Sequence, residues 1–438
     1  MPATEAMIPG LKRAHILAGA SIGNALEFYD FLIYAFFAGS LAAAFFPGHT
    51  PQVRLLLTFG TFGVSFLARP VGALILGSYA DRKGRTACMT VSIALMTLGS
   101  VLMAMMPTYA TIGVAAPVGI LLARLIQGFS LGGEFGSSTA FLIEHSPGGE
   151  AKASSWQATS QFIAAMMASG VAWLLNYILP TPIFAEWGFR IAFGLGVLAG
   201  PVALAMRQRL QDAPSFLAER EKTQSAAFPE RATLSGIATA MGAVAVGTGL
   251  TYLVVYLPTY ASHDLHLSAG SALGSIFLFY VVMLTLTPLR LRIAGWFDRS
   301  RNDRAMLASC GLLLISGYPA FMLLDAAPNL VTLFLLPIWL NIVGLFYLSP
   351  LQAFMGMVFP VRQRGIGLSV SYSLGVALFG GFAPFINTWL VARTGDPRSP
   401  GLYLSFTALI TMIAILAARR RVPVRLQLKD PQTAGSGS

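Results

Sequence analysis

Apolar residues run along this chain in blocks of roughly 20, and short polar, mostly basic connections separate the blocks. A block of that length crosses the ~30 Å hydrocarbon core of a bilayer as one α-helix. Twelve such spans are read, at about 15–38, 54–79, 87–107, 114–143, 154–179, 187–206, 234–257, 268–290, 305–325, 329–350, 365–391 and 401–418. A transmembrane β-barrel would need short alternating segments instead. The pattern therefore predicts an all-α, multi-pass membrane protein. The first block is too long for a signal peptide and carries acids, so it reads as a span.

The longest polar connection, residues 207–233, divides six spans from six. It sets the expected organisation: an N-terminal six-helix half at 1–206, a cytoplasmic linker at 207–233 and a C-terminal six-helix half at 234–421. Residues 422–438 form a polar tail, expected to be disordered, whose closing Ala-Gly-Ser-Gly-Ser resembles a linker. No connection is long enough to hold a soluble output domain.

Composition agrees. The 438 residues are 55% hydrophobic and 11% charged, where soluble domains carry about 25% charged residues. A net charge of +11 could suggest a nucleic-acid partner, but the distribution argues otherwise. With both termini inside, every Lys and Arg except Arg54, Arg69, Arg124, Arg190, Arg393 and Arg398 falls in the termini or cytoplasmic connections. That is the positive-inside bias, and it sets the expected orientation with both termini cytoplasmic. Cys88 and Cys310 open apolar helices and read as packing residues, and the five histidines lack ligand spacing. Neither a metal nor a cofactor is expected. No paired-histidine, nucleophile-elbow or phosphate-loop motif points to an enzyme.

One motif occurs twice at matching places. Gly77-Ser-Tyr-Ala-Asp81-Arg82-Lys83-Gly84-Arg85 follows the second span, and Gly295-Trp-Phe-Asp298-Arg299 follows the eighth. Repetition in two six-helix halves is the mark of a parallel repeat. These segments are read as cytoplasmic loops in which Asp81 caps the next helix or pairs with an arginine. A merely basic turn is the competing reading, stronger for the second copy, where Asn302 and Asp303 replace the glycine region.

The two motifs resemble the signature of the major facilitator superfamily. Gly23-Asn24…Glu27-Phe28-Tyr29-Asp30, Arg69-Pro70…Gly72 and Arg124…Gln127-Gly128…Gly132-Gly133-Glu134 are similar to its metabolite:proton symporter branch. Within the branch the sequence looks most like bacterial citrate–proton symporters. The resemblance implies twelve helices in two rocking halves and proton-coupled symport of citrate or a related di- or tricarboxylate. It also implies motif loops (Asp81, Arg82, Arg85, Asp298, Arg299) that latch the cytoplasmic side. Other members of the branch carry betaine, proline or shikimate, which is the alternative expectation. Phe28 departs from the family's usual Trp, and Phe359-Pro360 lacks the acid that usually precedes the proline.

Charge inside a span costs at least ~2.5–3.5 kcal/mol per residue on insertion scales, so such residues face water, a partner or a ligand. Glu27 and Asp30 lie one helical turn apart near mid-membrane; because two ionised neighbours repel, at least one is expected to carry a proton. Glu134 is assigned with them to proton coupling. Arg124 is the expected substrate ligand, since guanidinium binds carboxylates bidentately; an intramembrane ion pair with Asp30 or Glu27 is the competing reading. Arg69 is expected to pair with Glu134 and close the inner mouth. Asn24 and Tyr34 share the Glu27 face, and Tyr256, Tyr347 and Asn341 are second-half candidates, the two tyrosines favoured by the citrate-transporter resemblance. Core packing is the competing reading for each of these uncharged residues. No deep cation is read in the second half. The expected partners are a small organic anion, protons (sodium remaining open) and lipid, around a monomer.

Overall fold

The computed structural model describes residues 10–144, 150–208, 234–300, 303–359 and 364–421, and regular structure within them is helical. The first half contributes α1 (Gly10–Phe36), α2 (Ala38–Phe45), α3 (Pro51–Lys83), α4 (Arg85–Met105), α5 (Ala115–Glu144), α6 (Glu150–Ile178) and α7 (Phe189–Gln208). The second contributes α8 (Leu234–His263), α9 (Ala269–Thr285), α10 (Thr287–Ser300), α11 (Asp303–Ala326), α12 (Leu330–Leu348) and α13 (Leu351–Val358). It closes with α14 (Arg364–Val376), α15 (Ala383–Thr394) and α16 (Ser399–Arg421). Among the described residues, ten helices are long and apolar enough to cross a membrane, and the number reaches twelve if two bent pairs each count as one span. Those pairs are α1–α2, bent by 65°, and α9–α10, bent by 49°.

Two expected boundaries change. The motif at 77–85 is not a loop: α3 stays helical through Lys83, and Gly84 alone makes the turn into α4. Its φ of 112° is open to glycine and strained for other residues, and its N–H still bonds the Ala80 carbonyl at 2.8 Å. Residues 295–300 are likewise the last turns of α10. The eleventh span instead carries a widened turn at Ala377–Gly381 between α14 and α15.

Small residues set the packing. Helix α8, dense in glycine and alanine, is buried along nearly its whole length from Thr239 to Ala261. Helices α3 and α5 touch backbone to backbone: a methyl on Gly128 would sit 1.8 Å from the Ser65 carbonyl oxygen, and one on Gly132 would sit 2.1 Å from that of Arg69. Two further close contacts join the halves, both in the part of the spans farther from Gly84. Phe66 of α3 packs on Gly381 and Phe382 packs on Gly63. In the other contact Trp173 of α6 stacks on Phe277 of α9, with centroids 5.6 Å apart.

Candidate functional site

A cavity of ≈ 620 Å³, counting the part open to solvent, lies between the halves. The first half supplies Phe28, Leu32, Arg69, Gln161 and Phe162 to its wall; the second supplies Thr248, Thr251, Tyr252, Tyr280 and Tyr372. On α8 the polar wall positions follow helical spacing, which turns one stripe of a mostly apolar helix toward the space.

Arg69 is the charged residue on that wall. It is only 3% exposed, its guanidinium lies 5.2 Å over the Phe66 ring, and its charge acts on Tyr252 and Tyr372 of the other half. Its own carbonyl abuts Gly132, so the α3–α5 contact fixes its depth. Arg69 forms no ion pair among the described residues. The partner expected for it, Glu134, has its side chain outside them, as have Asp81, Asp298 and Arg299.

Arg124 occupies a different place. It is fully buried in the first half, with its guanidinium carbon 4.2 Å from the Phe31 centroid, 4.5 Å from Tyr34 and 5.1 Å from Phe62. One terminal nitrogen donates to Gln127 Oε1 at 2.8 Å and to the Phe31 carbonyl at 3.4 Å. Its Nε and its other terminal nitrogen have no hydrogen-bond partner among the described residues. Gln127 donates onward to Ser100 of α4 at 3.0 Å. Beside this network lies the Asp30 carboxylate, which interacts with Ser100 and Arg124 and presses on Gly196 of α7; a methyl there would be 1.7 Å from Oδ1. Helices α1, α4, α5 and α7 thus enclose a polar pocket behind the cavity wall. Rings separate the two arginines: Phe31 packs on Phe66 at 4.8 Å, and Phe62 and Phe66 reach Tyr252 at 5.9 and 5.2 Å.

The remaining expected ligands sit in the helix packing. Asn24 donates to Ser160 Oγ of α6 at 2.5 Å, and the Tyr34 hydroxyl donates to the Thr58 carbonyl at 3.1 Å. The Tyr347 hydroxyl donates to the Ala243 carbonyl, tying α12 to α8, while Asn341 donates to Pro337 of its own helix at 2.9 Å. Tyr256 meets Phe59 edge-on at 5.7 Å across the halves, and its hydroxyl has no hydrogen-bond partner among the described residues. None of these, and not Arg124, belongs to the cavity wall. Glu27 is buried on α1, Arg82 is exposed at the end of α3, and Arg85 begins α4. Wall residues such as Gln161, Phe162, Thr248, Thr251 and Tyr280 escaped the sequence reading, since a neutral ring, amide or hydroxyl in an apolar span gives no signal of its own.

Two bundles of membrane-length helices closing on a shared internal cavity make the architecture of an alternating-access carrier. The profile of the Major Facilitator Superfamily matches residues 21–370, and the chain belongs to that superfamily. It is 35% identical to the citrate-proton symporter of Klebsiella pneumoniae over 411 residues, covering 92% of this chain and 91% of the relative. It is 30% identical to the proline/betaine transporter of Escherichia coli (strain K12), covering 91% and 81%. Among solved structures, a proton:xylose symporter aligns with a TM-score of 0.76 at 16% identity, covering 95% of this chain and 97% of that one. At that identity the match speaks for the fold.

Proposed function

We propose that the protein is a proton-coupled symporter of citrate or a related di- or tricarboxylate, working by alternating access in a bacterial inner membrane with both termini cytoplasmic. The observation that carries this reading is Arg69: a buried guanidinium without an acid partner among the described residues, on the wall of a cavity between the halves. A guanidinium left in that state attracts a carboxylate, and at 4 Å with an effective dielectric of 20 the pair gains about 4 kcal/mol. Tyr252 and Tyr372 stand beside it as hydroxyl donors from the other half. The similarity to a protein named citrate-proton symporter supports the substrate class.

Protons are handled behind the wall. Asp30, close to Arg124 and shut off from the cavity, changes the local charge balance when it takes up a proton, and Glu27 and Glu134 are assigned to the same task. With the Gly84 end cytoplasmic, the Phe66–Gly381 and Trp173–Phe277 contacts close the outer side. Arg82 and Arg85 belong to the cytoplasmic latch together with Asp81, Asp298 and Arg299.

A second reading has one specific observation in its favour. Phe28, Phe162, Tyr252, Tyr280 and Tyr372 give the cavity five aromatic rings, a lining that also suits a quaternary ammonium such as betaine. Uptake of labelled citrate into proteoliposomes, driven by an inward proton gradient and challenged with tricarballylate, betaine and proline, separates the two. Citrate uptake that tricarballylate suppresses supports the first reading; gradient-driven betaine uptake with no citrate uptake overturns it.

A further inference from the structure

The second half holds a cation at membrane depth after all. Arg290 lies in the first turns of α10, just past the 49° bend that separates it from α9, in a segment counted with the span. Its guanidinium carbon is 4.5 Å over the ring of Phe162, which belongs to α6 of the first half and to the cavity wall. The same ring meets Tyr280, also on the wall, edge-on at 6.2 Å. The Arg290 side chain makes no hydrogen bond or ion pair among the described residues. A basic residue serving only as a topological anchor would point outward, as its neighbour Arg292 does, being exposed. Arg290 instead folds inward onto a ring of the opposite half and sits one side chain away from the cavity.

We infer that Arg290 is a second carboxylate-binding cation of the transport cavity, contributed by the C-terminal half and covered by Phe162 in this state, so that the substrate is an anion bearing at least two carboxylates, one for Arg69 and one for Arg290. This rests on the polycarboxylate reading above. A guanidinium that leaves the ring face for a carboxylate exchanges one cation–π contact for two charge-assisted hydrogen bonds in a bidentate pair, the stronger interaction. A ligand that engages both arginines ties the halves together through itself. An anion with one carboxylate engages only one of them.

The test measures equilibrium binding to the purified full-length protein in nanodiscs, using citrate and a citrate diester that keeps one free carboxylate. Arg290→Gln is expected to weaken citrate binding about 10- to 100-fold, each tenfold being 1.4 kcal/mol, and to leave diester binding within about twofold. Arg290→Lys keeps the charge and loses the planar fork, so an intermediate loss for citrate is expected. Arg292→Gln, with unchanged thermal melting, is the control. Citrate binding by Arg290→Gln equal to the parent, or equal losses for citrate and diester, overturns the inference; if Arg290→Gln fails to fold, citrate affinity of Arg290→Lys equal to the parent does so. A parent protein that binds betaine and not citrate overturns the substrate reading, and this inference with it.

Discussion

The two arginines of the first half's interior make an instructive pair. Both are buried, both lie over phenyl rings, and neither holds an ion-paired carboxylate within hydrogen-bonding distance among the described residues. The hydrogen bonds of Arg124 stay within one half and Tyr252 acts on it more weakly, through charge alone, while Arg69 meets Tyr252 as a hydrogen-bond partner and Tyr372 through charge. Rocking the halves apart would therefore take the Arg69 surroundings to pieces and leave the Arg124–Gln127–Ser100 network whole. A site that must release its guest belongs where the halves separate, and a site that must keep a proton through the cycle belongs within one of them. What joins them is the ring layer of Phe31, Phe62 and Phe66, with Tyr252 set edge-on against it.

The largest effect expected from breaking this division is at Arg69. Truncating one partner of a buried charge-assisted contact costs about 2–5 kcal/mol. Arg69→Gln should therefore lower citrate affinity at least ~30-fold, read by equilibrium binding, and abolish gradient-driven uptake in proteoliposomes. Asp30→Asn should act differently. Citrate binding stays, as does citrate exchange across the membrane, while acceleration by an inward proton gradient is lost. Uptake by Asp30→Asn that remained fully dependent on the proton gradient would remove the rear pocket from proton coupling and collapse the comparison.

Most of the fold was legible, because length and apolarity of a span are properties of contiguous residues. The all-helical, multi-span character follows from local pattern, and Gly128 and Gly132, quoted for the family resemblance, are where α5 meets α3 backbone to backbone. Bends escaped, since nothing in the α1–α2 or α9–α10 segments dictates an angle of 65° or 49°. The site was half legible. Charge in a span announced Arg69, Arg124 and Asp30, but the direction a side chain takes depends on which helix lies opposite. Arg69, assigned by sequence to a gate, lies on the cavity wall, and Arg124, assigned to substrate, lies behind the rings. Arg290 was read as part of the cytoplasmic basic bias, because sequence alone does not reveal that α10 turns it back onto Phe162.

Between these extremes lies the outer closure. A methyl on Gly381 would stand 2.3 Å from the Phe66 ring, so Gly381→Ala cannot keep the contact unchanged. Overpacking of this kind costs about 1–3 kcal/mol, and here the strain falls on the closed arrangement and is relieved when the halves part. The ratio of outward-open to closed protein should rise about 5- to 160-fold. Accessibility of a cysteine introduced at Thr251, on the cavity wall, to an impermeant thiol reagent would report it. Accessibility unchanged from the parent would mean that the Phe66–Gly381 contact does not govern opening.

The smallest effect is expected at Asn341, and it tests the other side of the comparison: polar residues of the second half that lie away from the wall. Its amide donates to the Pro337 carbonyl of its own helix, an oxygen that also faces the backbone N–H of residue 341 one turn later. Removing the side-chain donor therefore orphans no acceptor, and exchanging a redundant hydrogen bond for apolar contact costs little. Asn341→Leu should change melting temperature by no more than a few degrees, in keeping with a cost below about 1 kcal/mol, and leave citrate affinity within about twofold. A loss of tenfold or more in citrate binding with melting unchanged would return Asn341 to the substrate site. The line between wall and packing drawn at Arg69, Tyr252 and Tyr372 would then have to be redrawn around α12.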